Sequence, residues 1–328
     1  MERVIRWGIL GTGNIARQFA RGLSVLPDSQ LTAVGSRAAA TAEAFGKEFG
    51  VPHCHGSYEA LVQDADVDVV YVSTPHQMHR PNTLLCLEAG KPVLCEKPFA
   101  INALEAADMV EAARNAKLFL MEAMWTRFLP VIDKVREWLA AGAIGEPRMV
   151  NADFGFRAEV DPESRLFNPQ YGGGALLDVG VYTISFASMV FGTTPQRCAG
   201  FAHIGDTGVD EQASMVLGYG RGQTASLTCA VRVNTPQDAV IVGTNGTIRV
   251  HPPFWKATTA TLSVTDKDEE TVTLPHRGNG YEYQAIEVMR CLREGLTESE
   301  VMPLDETVAI MLTMDQIRSQ WNLKYPME

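Results

Sequence analysis

The 328-residue chain is 46% hydrophobic and 20% charged, as expected of a globular protein with about two domains. These proportions exclude a mostly disordered chain and a small disulfide-stapled scaffold. With 28 Lys plus Arg against 39 Asp plus Glu, the net charge is −11. That argues against general nucleic-acid binding and against docking to an anionic membrane, because both need a basic surface; a local basic pocket for one phosphate stays compatible.

In chain order, the first 120 or so residues alternate strands and helices. Strands are expected at Val4–Leu10, Leu31–Ser36, Val67–Ser73, Pro92–Cys95 and Leu118–Met121. Helices are expected at Asn14–Gly22, Ala38–Phe49, Gln77–Ala89 and Leu104–Asn115, several of them stopped by glycine. This pattern implies a parallel, doubly wound α/β sheet with helices on both faces, a Rossmann-type domain. After the helix Val131–Ala141 the pattern changes. Strands are expected at Arg148–Phe156, Gln196–Ile204, Glu211–Tyr219, Gln223–Val233, Ala239–Thr244, Thr247–Val250, Ala260–Thr265 and Thr271–Leu274. Tight Gly- and Asn-Gly-containing turns favour a largely antiparallel, open-faced sheet in an α+β domain. Helices are expected at Ala175–Val190, Tyr281–Glu294 and Asp305–Gln320. The boundary falls near residue 123, giving domains 1–123 and 124–328.

No apolar run reaches the roughly 18 residues that a membrane span needs. The N-terminal run Met1–Arg6 leads into a strand with no apolar signal core. The expectation is a cytoplasmic protein without a membrane partner. Six cysteines are scattered with no CxxC and no zinc-ligand spacing; they read as reduced, small apolar side chains. The run His53-Cys54-His55 suggests a metal site. Neighbouring residues of an extended segment point to opposite faces, so all three cannot converge on one ion, and no metal is expected.

The first strand runs into Gly11-Thr12-Gly13-Asn14-Ile15-Ala16, which opens a helix. Gly11 allows a tight turn, Gly13 lets the backbone approach a pyrophosphate, and Ala16 lets the helix pack on the sheet. The helix N-terminus offers free N–H groups to the anion. At the end of the second strand stands Gly35-Ser36-Arg37, with no carboxylate to bond a ribose. Ser36 can donate to a 2′-phosphate, and Arg37 can neutralise it and stack on adenine. This favours NADP over NAD.

Strands three and four end in Ser73-Thr74-Pro75-His76 and Cys95-Glu96-Lys97-Pro98, at the carboxyl edge where such folds bind ligands. Lys97 is a candidate active-site cation, although a lone Lys at a strand end commonly reaches for water. A cis Lys97–Pro98 bond is conceivable. Tyr171-Gly172-Gly173-Gly174 leads into a helix on which Asp178 and Tyr182 are four residues apart and share a face. Gly180 between them admits a substrate or another segment. Taken alone, Asp178 also suits a helix dipole and Tyr182 a core.

The stretches GILGTGNIA, STPHQMH, CEKPFA and GGGALLDVGVY together resemble the Gfo/Idh/MocA family of NAD(P)-dependent oxidoreductases. Within that family the chain, notably Met121–Phe128 and Gly173–Gly192, is most similar to a branch of NADP-dependent dehydrogenases. Those enzymes act on trans-dihydrodiols or on C1 of D-xylose, and are dimeric. The resemblance covers nearly the whole chain, with Glu96-Lys97-Pro98 its most specific part. It implies that Lys97 and Tyr182 are the catalytic pair and that Asp178 lines the substrate pocket. It implies cofactor contacts from Gly11, Thr12, Gly13, Asn14, Ile15, Ser36, Arg37, Thr74, Pro75, His79, Glu96, Lys97, Trp125 and Arg127, and pocket walls from Phe154, Trp255 and Tyr281.

The chemistry agrees. A Tyr hydroxyl titrates near pH 10, too high for a base near neutrality, and a nearby cation lowers it. Tyr182 would take the substrate hydroxyl proton, Lys97 would assist, and Asp178 would orient a neighbouring hydroxyl. A sugar, polyol or cyclic diol is the expected substrate. Glucose, inositol or an anhydro-sugar are alternatives, since family membership does not fix substrate. A non-catalytic NADP-binding sensor is the reading from another class, disfavoured because both Lys97 and Tyr182 are present. An antiparallel sheet with helices on one face leaves the other to be covered, which suggests a homodimer.

Overall fold

A computed structural model describes residues 3–192 and 194–328; Met1 and Glu2 of the N-terminal run read above lie outside them. Contacts divide the chain into two units, and the first is discontinuous. It comprises residues 1–100, 104–125 and 277–307, and the second comprises 101–103, 126–276 and 308–328. The return of residues 277–307 to the first unit is absent from the simple division at residue 123.

The first unit is a six-stranded parallel sheet. Its strands are β1 (Ile5–Leu10), β2 (Ser29–Gly35), β3 (His53–His55), β4 (Val69–Val72), β5 (Val93–Glu96) and β6 (Leu120–Ala123), in spatial order β3-β2-β1-β4-β5-β6. The connections include α1 (Asn14–Leu23), α2 (Ala39–Phe49), α3 (Tyr58–Val62), α4 (His79–Glu88) and α5 (Ala103–Ala116). Strands β4, β5 and β6 are buried at every position, as a sheet covered on both faces requires. An aromatic column pins α1 to the sheet: Phe19 stacks on Tyr71 with ring centroids 3.9 Å apart and meets Trp7 edge-on at 5.2 Å. The short elements β3 and α3 were not expected, because three and five residues are too few to show a period.

Helix α6 (Pro130–Ala140) precedes an eight-stranded sheet in the second unit. Its strands are β7 (Pro147–Gly155), β8 (Arg197–Ile204), β9 (Asp210–Gly218), β10 (Thr224–Ala230), β11 (Ala239–Gly243), β12 (Gly246–Val250), β13 (Thr259–Val264) and β14 (Glu270–Thr273). The order is β14-β13-β12-β11-β7-β10-β9-β8, antiparallel throughout except for the parallel pair β7–β10. On β9, Ala213, Met215 and Leu217 are buried, while Gln212, Ser214 and Val216 are exposed. This period-2 pattern belongs to a sheet packed on one face only.

The buried face receives a helical segment that differs from the regular helix expected over Ala175–Val190. Leu176–Gly180 is a wide π turn, and only Val181–Phe191 (α7) is α-helical. Residues 169–191 are, by length and composition, apolar enough to cross a membrane, which corrects the expectation that no such stretch exists. Most of that stretch is buried inside the second unit, the usual setting of a core helix. The remaining helices are α8 (Glu282–Glu294), in the first unit, and α9 (Leu304–Ser319), which carries the chain back to the second.

Candidate functional site

In the first unit, β1 delivers the chain into the glycine loop. Gly11 has φ +109°, and a Cβ there would lie 3.0 Å from Ser73 Oγ, so turn and crowding both demand glycine. Gly13 is different. Its φ of −71° is open to any residue, yet a Cβ on it would meet nothing within 4 Å. The open space lies at the N-terminus of α1, which has no side-chain cap and no acidic residue in its first turn. Uncapped N–H groups at a helix start, beside a backbone position that needs no Cβ, fit the pyrophosphate of a dinucleotide. Ala16 is fully buried against the sheet.

At the end of β2, Ser36 is nearly buried and its hydroxyl lies 2.5 Å from Thr41 Oγ1. Arg37 is exposed, its cation near Tyr58, whose hydroxyl pKa burial raises and Arg37 lowers. A hydroxyl pair beside an exposed guanidinium suits a phosphate more than a diol. Thr41 was not singled out from the sequence; four residues beyond Arg37, on α2, it gives no motif signal.

The ends of β4 and β5 are tied together. His79 is fully buried, with Nδ1 2.8 Å from Pro98 O and Nε2 2.8 Å from Thr74 O. Burial pushes its pKa down to about 4, with the Lys97 ammonium acting in the same direction, against those carbonyl contacts. Thr74 Oγ1 also accepts from Asn82 Nδ2 at 3.0 Å. The Tyr71 hydroxyl donates to Glu96 Oε1, and the backbone N–H of Lys97 donates to Glu96 Oε2 at 3.1 Å. The Lys97–Pro98 bond is cis. Thr74, His79, Glu96 and Lys97 thus form one bonded edge, and Pro75 sits exposed beside it. Further along, Trp125 stacks on Tyr281 at 4.3 Å and 16° between planes, which joins the end of β6 to the start of α8.

In the second unit, Tyr182 and Asp178 are 6% and 4% exposed on the helical segment. Asp178 lies within the π turn and Tyr182 in the first turn of α7; π turns inside helices are common at functional sites. Gly180 admits another segment: a Cβ there would lie 3.1 Å from Cys229 Sγ on β10. Phe154 meets Tyr182 at 5.3 Å and 60°, and lies parallel to Trp255 at 4.9 Å and 2°. Phe154, Trp255 and Tyr182 therefore form one aromatic cluster, while Tyr281 belongs to the first unit, with Trp125. Arg127 is buried against α7, with Nε donating to Ser185 Oγ at 3.0 Å and Nη2 to Ser185 O at 2.8 Å. Arg165 Nη1 donates to Asp178 Oδ1 at 3.0 Å. Sequence reasoning missed Arg165, because it stands in an irregular loop with no spacing that ties it to Asp178.

The start of the π turn is held from the sheet. Asp210, on β9, is fully buried and accepts the Leu176 N–H at 2.7 Å. Burial pushes its carboxyl up to about 7, against backbone hydrogen bonds that include Leu176 and Ala175. Gly174 lies so close that a Cβ would overlap Asp210 Oδ1. Tyr325, near the C-terminus, donates to Gly173 O at 2.9 Å.

Residues 5–124 match the oxidoreductase family with an NAD-binding Rossmann fold, and residues 132–249 match the GFO/IDH/MocA C-terminal domain. The chain is 39% identical over 335 aligned positions to the trans-1,2-dihydrobenzene-1,2-diol dehydrogenase of Mus musculus, covering 99% of each. Among solved structures it is similar to an aldose-aldose oxidoreductase from Caulobacter crescentus complexed with glycerol, with TM-score 0.89, 25% identity and 97% of each chain covered. A 3-ketoreductase from Actinomadura kijaniata, in complex with NADP and TDP-benzene, gives TM-score 0.86 and 27% identity over 96% of this chain and 97% of that one.

Proposed function

We propose, on the premise that the chain belongs to the Gfo/Idh/MocA oxidoreductases and is an NAD(P)-dependent dehydrogenase acting on hydroxyl groups, that it is an NADP-linked oxidant of a cyclic diol or an aldose. The observation that carries this reading is the aromatic cluster in which Phe154 packs against both Tyr182 and the half-buried Trp255, with buried Asp178 one turn from Tyr182. Such walls suit the flat, apolar face of a ring whose hydroxyls are polar handles.

The nicotinamide, when bound, supplies the hydride acceptor. Tyr182 removes the substrate hydroxyl proton as the carbon-bound hydrogen leaves as hydride. Lys97, carried by the first unit, is the second residue assigned to proton transfer in this reading, as the cation of the pair. Asp178, its carboxylate oriented by Arg165, accepts from a neighbouring hydroxyl and so fixes which carbon reacts. Thr74, Pro75 and His79 are assigned to the segment beneath the nicotinamide ribose, with Glu96 and Trp125 as further cofactor contacts of the first unit; Arg127, held by Ser185 in the second unit, is assigned a cofactor contact from there. Ser36 and Arg37 recognise the 2′-phosphate.

The name of the murine relative favours a trans-dihydrodiol. The Arg165–Asp178 pair, built to hold an extra hydroxyl, favours an aldose such as D-xylose as the second reading. Absorbance at 340 nm, with NADP and with NAD against a trans-dihydrodiol, D-xylose, D-glucose and myo-inositol, tests both. Turnover with NADP on the diol or on xylose supports the proposal. Tight NADPH binding without turnover on any of them would overturn the substrate assignment, keep the cofactor reading and bring the sensor reading forward as a competitor.

We further propose a homodimer through the open face of the second unit's sheet. Phe201 is 89% exposed there and Val216 51%, with Met149 on the same face. Large apolar side chains gathered on one sheet face favour a self-complementary partner. Six free cysteines favour a reducing compartment, the cytoplasm.

A further inference from the structure

The edge strand β3 brings together a set of side chains that the dehydrogenase reading does not use. Strand alternation separates its three residues, as the sequence requires. Cys54 turns toward α2, where its sulfur occupies the space a Cβ on Gly46 would need. His53 and His55 share the other face. There they meet Asp64, a residue eleven and nine positions further on, in the loop that follows α3. His53 Nδ1 lies 2.7 Å, and His55 Nε2 2.9 Å, from the same oxygen, Asp64 Oδ2. All three donor atoms lie within 4.8 Å of one another.

The carboxylate is held in place by its surroundings. Its other oxygen, Oδ1, accepts the Asp66 N–H at 2.9 Å. The Lys91 ammonium donates to the backbone carbonyls of Asp64 at 2.7 Å and Val67 at 2.9 Å. His55 is fixed through its own backbone, whose carbonyl accepts the Ser36 N–H at 3.1 Å. Ligands oriented in this way, before any ion arrives, are the usual outer support of a metal site.

We propose that His53, His55 and Asp64 bind a divalent transition metal ion, with Zn2+ the best match among common ions. Two imidazole nitrogens and one carboxylate oxygen are a borderline donor set, suited to zinc and disfavoured for Mg2+ or Ca2+, which take oxygen. Tetrahedral bonds of about 2.0–2.1 Å place neighbouring donors roughly 3.3 Å apart. The two histidine–aspartate separations need to open by only a few tenths of an ångström. Both rings are partly open to solvent, with side-chain exposures of 38% and 23%, while Asp64 is 8% exposed, so an ion has access and a water can complete the shell. On binding, each imidazole gives the lone pair of the nitrogen that faces Asp64 to the ion and carries its proton on the other ring nitrogen, so the metal takes the place of the ring–carboxylate hydrogen bonds. It ties the sheet edge to the loop after α3, and so adds a cross-link within the first unit.

Equilibrium dialysis of the full-length protein against zinc sulfate, with bound metal counted by elemental analysis, tests this. Wild type should retain one equivalent that the double variant His53→Gln/His55→Gln does not, with affinity lowered by at least about 10-fold. A His203→Ala control, on the other sheet, should bind as wild type does. Because thiols also take zinc, the measure is the difference between wild type and double variant. A thermal melt adds an independent readout: zinc should raise the melting temperature of wild type and leave that of His53→Gln unchanged. Equal zinc content in wild type and double variant, or a melting shift that survives His53→Gln, would overturn the proposal and leave the trio as a hydrogen-bonded tether.

Discussion

Replacing Asp210 by asparagine should change the slope of stability against pH, by an amount that follows from the structure. The folded carboxyl titrates at about 7 because burial penalises its charge, while the ordinary value is 3.8. Between those values the native state holds a proton that the unfolded state has released. Stability then falls as pH rises. Each pH unit within the window is worth about 1.36 kcal/mol, so the carboxyl destabilises the neutral-pH protein by about 4 kcal/mol relative to its acid form. The amide of the Asp210→Asn variant would keep an acceptor for the Leu176 N–H and lose the titration. Between about pH 5 and about pH 7, the unfolding free energy of the variant should gain roughly 2 kcal/mol on that of wild type. Urea unfolding at a series of pH values reads this difference directly. Parallel curves for the two proteins across the window would refute the assignment of a protonated, buried Asp210.

Other outcomes follow from the same geometry. His79 has the opposite sign: its folded pKa of about 4 lies below the ordinary 6.5, so it should destabilise the protein as pH falls from about 6.5 toward 4, and His79→Asn should flatten that limb of a pH–stability curve. Gly13→Ala, at a position with ordinary φ and no neighbour within 4 Å, should leave the melting temperature unchanged yet weaken NADPH binding at least about tenfold, read by nicotinamide fluorescence; unaltered binding would move the cradle elsewhere. Tyr182→Phe should lower kcat by about 10²–10⁴ with the fold intact, and near-wild-type turnover would remove Tyr182 from its role. Phe201→Asp should yield a monomer in sedimentation analysis if the open face is the dimer contact.

Legibility from sequence followed element length and the range of the interactions. The parallel strands were readable because they are buried on both sides: β4 spells an unbroken apolar run, and β5 and β6 are apolar except at Glu96 and Glu122. The open-faced sheet was readable because β9 alternates. Three-residue β3 has no room for a period, and the π turn at Leu176–Gly180 leaves no trace in composition. Glycine-loop residues announce themselves because a backbone need selects residue type locally. Arg165 and Thr41 do not, since a chance-looking Arg or Thr acquires its partner only through a loop or a helix turn. The His53–Asp64 meeting depends on α3, which the sequence did not reveal; alternation correctly parted Cys54 from its neighbours yet could not supply the aspartate.

The discontinuity of the first unit bears on how the protein is made. Helix α8 and its flanks are fastened to the N-terminal sheet by Asn279 Nδ2 to Gln18 O, Arg293 to Asp28 and the Leu120 N–H to Thr297 O. None of these bonds can form until nearly the entire chain has left the ribosome. Residues 126–276 of the second unit are synthesised before the first can be completed. A nascent N-terminal sheet must therefore wait with part of its surface uncovered, the interval in which chaperones act and aggregation begins. Truncation after β6 would prolong that interval indefinitely, so a workable dinucleotide-binding fragment needs residues 277–307 spliced back to the N-terminal segment.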